Sequence, residues 1–408
     1  MPKETRRKFI RDAGLSAGAL ALGPLFRANR ASANGWMGKV FQVDETRGVL
    51  SDGGFGGLDD LFSLMGRHGL HFYQTNSSGP ISGPDGIIGR QDVVLLKVNS
   101  QWDDRGMTNC DMVRGLVQRI VEHPDGFDGE IVFVDNVQFK AVSDCFGWQT
   151  HTNSESRSLN YRDIIEDFSS QGYKISGYDW RTSNWRSGGL DVVTDPDDHF
   201  TDTYYHDPDN LSEHYPRFTT EHGTRVNFRH GIWTGSEYDN SRLKLINLPM
   251  LKDHQYKTMI TACLKNYMGV IAPSYGDPWK IEYHDNFQYK VGKMVGGTRF
   301  PDLNILDATW VITKDGPEGY ATNAVEVGTL IAGVDPVAVD YHAGKHVLFP
   351  LSSNNRHHPD NSNNLHTCLT SALTDLRSAG YEVMPSLEDS SYTLLTNQTL
   401  DVGMWRLY

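Results

Sequence analysis

A group of basic and polar residues in the second half of the chain could bind an anion and move a proton. Lys252 and His254 follow the apolar run 243–250, and Lys265 and Asn266 come shortly afterwards. Lysine neutralises a carboxylate or phosphate, and histidine transfers protons near neutral pH. We therefore predict an anion-binding site in which Lys252, His254 and Lys265 are catalytic candidates.

Other residues complete this predicted site. Asp307 lies within an apolar run, where a buried carboxylate requires a partner; we expect that partner to be Lys97, Lys252 or Lys265. A helix beginning near Gln255 would place Thr258 and Lys265 on one face. Asp307 is thus a fourth catalytic candidate, and the predicted ligand-binding residues are Lys97, Asn99, Thr258 and Asn266. The alternative is a structural polar network that ties a helix to a sheet.

The elements that must position these residues follow from apolar periodicity. Helical spacing occurs at 58–65, 108–121 and 161–168, and strand-like runs occur at 92–98, 130–134, 243–250 and 303–312. This alternation predicts an α/β fold, with a mostly parallel sheet and helices on both faces. The carboxyl ends of parallel strands lie at one edge of a sheet, where ligands bind. We therefore expect one crevice to collect Lys97, Lys252, His254, Lys265 and Asp307.

Two helix starts can be predicted from capping chemistry. Thr108, with Asp111 three residues later, resembles a capping box. Asp335 precedes Pro336, which is typical of an N-cap followed by proline at the first helical position. We expect Asp335 to cap a helix rather than to act in catalysis. We expect the carboxylate of Asp340 to interact favourably with the dipole of the same helix.

Residues 137–240 differ in composition from the rest of the chain. They are rich in Asp, Asn, His, Ser, Trp and Tyr and contain few aliphatic runs. We predict a long irregular insertion at the sheet edge, within a single domain that spans 34–408. Its carboxylates suit calcium as ligand chemistry, but the spacing of an EF-hand is absent, which favours a solvated acidic loop.

The sequence contains few patterns that indicate a metal or cofactor site. His342 and His346 are four residues apart on a predicted helix, as a divalent metal site requires, and a solvent-facing pair is the alternative. The four cysteines show no CxxC spacing, so an iron–sulfur cluster is not expected. The cofactor stays unknown, with a divalent metal as the open alternative.

The amino terminus has the order of parts found in twin-arginine signal peptides. Arg6 and Arg7 are followed by Phe9, by the modestly apolar stretch 13–26 and by small residues at 31–33. We predict a signal peptide at 1–33, the twin-arginine translocase as a partner during export, and a periplasmic or secreted location. No later segment has the length and apolarity of a membrane span, so stable membrane insertion is not expected. The net charge of −13 argues against nucleic acid as a partner.

Four sequence blocks carry a resemblance to a known family. They are INLPMLKDHQYKTMITACLKNYMGV at 246–270, VVLLKVN at 93–99, LNILDATWVITKDGPEGY at 303–320 and IAGVDPVAVDYHAG at 331–344. In this order they resemble domain of unknown function 362. Many relatives carry a ferredoxin-type cysteine cluster that this chain lacks, so the resemblance does not imply electron transfer. It implies no general biochemical activity either.

Two classes of function remain open at this point. The first is an exported enzyme whose crevice binds an anionic small molecule, with or without a divalent metal. The second is a non-catalytic extracytoplasmic ligand-binding or accessory protein that uses the same crevice. Neither the substrate nor the reaction type follows from these residues.

Overall fold

The computed structural model describes residues 35–137, 142–180, 192–193, 199, 201–206, 214–255, 258–271, 286–319 and 321–397. The predicted signal peptide at 1–33 lies outside the described residues. Among the helices in the described ranges, none has both the length and the apolarity that a bilayer crossing requires.

The strands and helices have the following bounds. In chain order the strands are β1 (Lys39–Val43), β2 (Tyr73–Gln74), β3 (Ser82–Gly83), β4 (Ile88–Gly89), β5 (Val93–Lys97), β6 (Glu130–Asp135), β7 (Ile175–Asp179), β8 (Val192–Val193), β9 (Thr203–His206), β10 (His214–Thr219), β11 (Arg225–Asn227), β12 (Gly231–Trp233), β13 (Tyr238–Asp239), β14 (Leu243–Asn247), β15 (Met250–Asp253), β16 (Ile260–Thr261), β17 (Leu303–Ile312), β18 (Ala324–Gly333) and β19 (Thr393–Thr396). The helices are α1 (Gly56–Arg67), α2 (Cys110–Val121), α3 (Tyr161–Ser170), α4 (Phe287–Gly297), α5 (Pro336–His342), α6 (Phe349–Ser352) and α7 (Asn364–Ser378).

The large central sheet has the strand order β19-β1-β18-β17-β14-β5-β6-β7. Strands β17, β14, β5, β6 and β7 run parallel to one another, whereas β18 pairs antiparallel with both β17 and β1. Beyond the end of β14, β15 pairs parallel with β17 and antiparallel with β16. The predicted fold class, an α/β protein with a mostly parallel sheet, is confirmed.

Buried strands and amphipathic helices explain this architecture. Every residue of β5 and β6 is buried, as in parallel strands that are covered on both faces. Helix α2 is amphipathic and buries Val113, Leu116 and Ile120. Its N-cap is Asn109, whose side chain accepts a hydrogen bond from Met112 N, so the predicted Thr108 cap was wrong.

The predicted insertion at 137–240 contains a second sheet. Strands β8 to β13 form it in the order β13-β12-β11-β10-β9-β8. It contacts the β7 edge through aromatic rings: Tyr178 and Phe218 lie 4.5 Å apart between centroids, and Trp180 and Phe228 lie 5.3 Å apart. The expected irregular conformation was therefore wrong for this part. Aromatic side chains supply the buried surface that aliphatic residues supply elsewhere, which is why a search for aliphatic runs missed these strands.

The chain order of the parallel strands creates a crevice. From β5 the chain moves outward in one direction through β6 and β7, and it then returns to place β14 on the other side of β5. This reversal is a topological switch point, where loops from the two neighbouring strands diverge and leave room for a ligand. The carboxyl ends of β5 and β14, near Lys97 and Asn247, meet there in register.

Candidate functional site

A cavity of about 270 Å³ lies at the carboxyl ends of β5, β6 and β15, which is the edge that the switch point predicts. We call it the crevice. Its lining residues are Lys97, Asn99, Gln101, Trp102, Asp135, Asn136, Lys252, His254, Thr261, Lys265, Asn266, Met268, Gly269, Pro317 and Glu318. Of the eight residues predicted for catalysis or ligand binding, six line it: Lys97, Asn99, Lys252, His254, Lys265 and Asn266.

The segment that carries most of these residues is not the predicted helix. It forms the short antiparallel pair β15–β16, in which Lys252 lies opposite Thr261, followed by a 3₁₀ turn at Lys265–Gly269. The Asp340 carboxylate on α5 accepts hydrogen bonds from Cys263 N at 2.7 Å and Leu264 N at 3.0 Å, which fixes the start of that turn. The strand pair and the turn that follows it, rather than helical spacing, therefore bring Lys252 and Lys265 to one cavity.

One side of the crevice holds a buried ion pair. Lys97 Nζ lies 2.7 Å from Asp135 Oδ1, and both side chains are almost fully buried. The Asp135 carboxylate also accepts hydrogen bonds from Ser100 N and Oγ, each at 2.8 Å, and from Asn136 N at 2.8 Å. Lys97 Nζ donates to Val98 O at 2.8 Å. Both charges therefore have the partners that a buried ion pair requires.

Gly269 packs directly on this ion pair. A Cβ atom at position 269 would lie 2.1 Å from Asp135 Oδ1 and 2.6 Å from Lys97 Nζ, where there is no space for it. Glycine is therefore required at this position by the close approach of the turn to the two charges.

A chain of side-chain amides ties three strand ends together beneath the crevice. Asn266 Nδ2 donates to Lys97 O at 3.1 Å and to Asn247 Oδ1 at 2.8 Å. Asn247 Nδ2 in turn donates to Asn304 Oδ1 at 2.9 Å. Asn266 thus links β5 and β14 directly, and β17 through Asn247. Its amide nitrogen therefore has a structural role.

The opposite side of the crevice holds two lysines in a different environment. Lys252 is 1% exposed, and its Nζ donates to Gly106 O at 2.5 Å. Lys265 is partly exposed, and its Nζ lies 4.8 Å from the centroid of the Phe287 ring. Within the described ranges, neither ammonium lies within ion-pair distance of a carboxylate.

Burial governs the charge state of these two lysines. Burial and the neighbouring charge of Lys265 lower the pKa of Lys252 to about 7, although the charge of Glu318 acts in the opposite direction. Burial likewise lowers the pKa of Lys265 to about 7. Both groups therefore titrate near neutral pH, as is common for lysines at functional sites.

Hydrogen-bond acceptors complete the crevice wall. Asn99 Oδ1 and Gln101 Oε1 are buried and have no hydrogen-bond partner among the described residues. Asn99 is 8% exposed. A buried acceptor without a partner is unfavourable, and a ligand or water with a donor in the crevice would remove that cost.

Two predicted residues lie elsewhere. Asp307 is fully buried in β17, where its carboxylate accepts hydrogen bonds from Asn109 N at 2.8 Å, from Thr309 N and Oγ1, and from Asn153 Nδ2 at 3.2 Å. These donors, and not a lysine, are its hydrogen-bond partners, so the expected convergence was wrong for Asp307. The Thr258 hydroxyl donates to Ile260 O at 2.7 Å and does not line the crevice.

The histidine pair has partners of its own. His342 Nδ1 lies 2.8 Å from the Tyr392 hydroxyl and Nε2 lies 2.6 Å from Gln42 Oε1, so both ring nitrogens are occupied. Burial lowers the pKa of His342 to about 3. His346 Nε2 pairs with Asp389 at 2.9 Å. No group of three or more His, Cys, Asp or Glu in the described ranges could hold a metal ion. The arrangement accounts for His342 and His346 without a metal.

Sequence reasoning missed several polar residues of the crevice, among them Asp135, Asn136, Gln101 and Glu318. Asp135 ends β6, which neighbours β5, so the strand-end argument that selected Lys97 applies to it equally. Gln101 had no comparable signal, because it lies in the irregular segment after β5. Asp335 caps α5 as predicted, accepting hydrogen bonds from Val337 N and Ala338 N.

Comparison with known proteins adds one finding. Residues 237–344 match the model of the family described as Domain of unknown function (DUF362). The match covers about a quarter of the chain and includes β15, the 3₁₀ turn and Asp340, which form the lysine side of the crevice. Three of the four blocks noted in the sequence lie within it, and the block at 93–99 lies outside. No curated protein and no solved structure matches the chain.

Proposed function

We propose that the protein is an enzyme whose crevice binds a small anionic molecule. In this proposal Lys252 and Lys265 neutralise the anion, and His254 transfers a proton. The observation that supports it is the pairing pattern of the lysines. Lys97 has Asp135 at 2.7 Å, whereas no described carboxylate lies within ion-pair distance of Lys252 or Lys265.

The physical reason is the cost of burying charge. An ammonium removed from water loses its hydration, and a nearby ion of opposite charge must compensate for that loss. Burial already lowers the pKa of both lysines to about 7. A bound anion would favour their charged forms, so binding would be accompanied by proton uptake above neutral pH.

His254 is suited to proton transfer by its position. It follows β15 directly, and its backbone N–H donates to Met259 O at 3.0 Å, which holds the segment in place. The side chain lines the crevice and is partly exposed, so it can reach both a ligand and water. Histidine is the side chain whose ordinary pKa suits proton exchange near neutral pH.

Calorimetry with phosphate, sulfate and pyruvate as probes tests anion binding. We expect at least one of these anions to bind the wild-type protein, and Lys252→Met and Lys265→Met each to weaken binding at least tenfold. The matched control is Lys244→Met, because Lys244 lies on β14 at the opposite end of the sheet and is paired with Asp92 at 3.8 Å. Equal binding by all four proteins would contradict the proposal. Binding without turnover of any substrate would instead favour the non-catalytic ligand-binding protein.

We also propose export through the twin-arginine route to the periplasm or the medium. The support is the arginine pair and the small residues that follow the apolar stretch. Replacing Arg6 and Arg7 together by Lys should retain the precursor in the cytoplasm, as fractionation and immunoblotting would show. Unchanged export of that variant would refute this route.

A further inference from the structure

Lys252 and Lys265, on the side of the crevice opposite the Lys97–Asp135 ion pair, differ in what surrounds them. Lys265 Nζ lies 4.8 Å from the Phe287 ring centroid, and the negative face of an aromatic ring stabilises a cation. Lys252 is 1% exposed and donates a hydrogen bond to the carbonyl of Gly106. The ring gives Lys265 a neighbour that favours its charged form, whereas Lys252 is enclosed and has a backbone carbonyl as its hydrogen-bond acceptor.

An uncharged lysine that donates one N–H bond keeps its lone pair for attack on an electrophile. The Gly106 carbonyl orients the Lys252 amine, and the amine borders the crevice. A neighbouring cation and a desolvated position are the two conditions that turn lysine into a nucleophile toward carbonyl compounds. Burial and the charge of Lys265, in that order, lower the pKa of Lys252 to about 7, so part of this amine is uncharged at neutral pH.

We propose that Lys252 forms an imine with the carbonyl group of an anionic ligand whose charged group is held by Lys265. This inference rests on the proposed function and narrows its substrate class. The ligand would be a small carboxylate or phosphate that also carries a ketone or aldehyde group, such as a 2-oxo acid.

The remaining crevice residues fit the steps of imine formation. The Nζ–C bond forms as the carbonyl π bond breaks; the nitrogen gives up one of its two protons and the oxygen takes up one, which gives a carbinolamine. The C–O bond then breaks as the hydroxyl leaves as water with a second proton, and the nitrogen loses its remaining proton to give the C=N bond. His254 lines the crevice and can supply the proton to the leaving oxygen. Asn99 Oδ1 and Gln101 Oε1 lack described partners and can accept a hydrogen bond from the hydroxyl group or the released water.

Trapping with a reductant tests this inference on the intact protein. Wild-type protein would be incubated with pyruvate and cyanoborohydride near neutral pH, and the reduced adduct would be located by peptide mass spectrometry. We expect one adduct, at Lys252. Lys252→Met and Lys252→Arg should abolish it, because neither a thioether nor a guanidinium forms an imine under these conditions. Lys265→Met should reduce the yield several-fold, and the control Lys244→Met should leave it unchanged.

The outcomes separate this inference from the proposed function. Adducts spread over exposed lysines, or an undiminished yield in Lys252→Met, would overturn the assignment of Lys252. Calorimetric binding of pyruvate without a trapped adduct would overturn imine formation but leave anion binding intact. Failure of pyruvate, phosphate and sulfate alike to bind would overturn both. Acetone, which has a carbonyl group and no charge, should label Lys252 at least tenfold less than pyruvate. Equal labelling would show that Lys265 does not hold the charged group of the ligand.

Discussion

The two sides of the crevice use buried lysine in opposite ways. On one side Lys97 is paired with Asp135, and each of the two has further hydrogen bonds that satisfy its charge. On the other side Lys252 and Lys265 have a carbonyl and an aromatic ring as neighbours, and no carboxylate among the described residues within ion-pair distance. The first arrangement holds the strand ends together. In our proposal the second arrangement receives an anionic ligand.

This difference shows why residue type alone does not identify a site. All three lysines lie at the same sheet edge and line the same cavity. What distinguishes them is whether the fold itself supplies the counter-charge. Removing one partner of a buried ion pair lowers stability, and a buried charge without a partner lowers it likewise and is tolerated where function requires it.

The largest effect on the free energy of unfolding is expected from disrupting the Lys97–Asp135 ion pair. Lys97→Met would leave the Asp135 carboxylate buried without its cation, and we expect a loss of about 3–5 kcal/mol in the free energy of unfolding. Urea denaturation measures it. The double variant Lys97→Met/Asp135→Leu should recover part of that loss, because no uncompensated charge remains. A Lys97→Met protein as stable as the wild type would mean that the two sides do not differ as described.

A smaller loss of stability is expected from the substitution of Gly269. The added methyl group of Gly269→Ala would collide with Asp135 Oδ1 and Lys97 Nζ, and neither buried group can move without losing hydrogen bonds. We expect a loss of about 1–3 kcal/mol in the free energy of unfolding. Gly380→Ala is not a suitable control because Gly380 has positive φ, whereas Gly48→Ala is, since nothing lies within 4 Å of its Cβ position. Equal stability of the two variants would contradict the close packing at Gly269.

The smallest effect, measured as the change in stability between pH 7 and pH 8, is expected from Lys252. The pKa of Lys252 is about 7 in the folded protein and near 10.4 in the unfolded chain, so the folded state binds fewer protons between these values. Stability should therefore rise with pH above about 7, by at most about 1.4 kcal/mol per pH unit for this group. Lys252→Met should lack this contribution and should be at least as stable as the wild type below pH 7. If the free energy of unfolding changed with pH in the same way in both proteins, the pKa of Lys252 would not be lowered by folding.

Much of the fold could be predicted from the sequence because its strands are apolar throughout. The runs at 92–98, 130–134 and 303–312 match β5, β6 and β17 to within one residue at each end. The segment after β14 could not be predicted in this way. Its apolar spacing suits a helix, but the Asp340 carboxylate, more than seventy positions away, binds Cys263 N and Leu264 N and fixes another conformation. Tertiary contacts of this kind leave no local signal.

The candidate site likewise contains residues that could be predicted from the strand order and one that could not. The strand-end argument placed Lys97, Asn99 and Lys252 at one cavity because it depends only on topology. It failed for Asp307, which lies in the interior of the ten-residue strand β17 and is satisfied by Asn109 N, Asn153 and Thr309. A buried carboxylate needs hydrogen-bond donors, but the sequence does not show whether a lysine or a backbone N–H provides them.

Proton uptake on anion binding tests the central claim most directly. The measurement is calorimetry at about pH 8 in buffers of different ionisation enthalpy, with the tighter binder of phosphate and sulfate, neither of which can form an imine with Lys252. If Lys252 and Lys265 receive the anion, binding should take up close to one proton or more, and Lys252→Met should take up fewer. Uptake should vanish below about pH 6, where both lysines are already charged. Anion binding without proton uptake at pH 8, or uptake unchanged in Lys252→Met, would contradict the account.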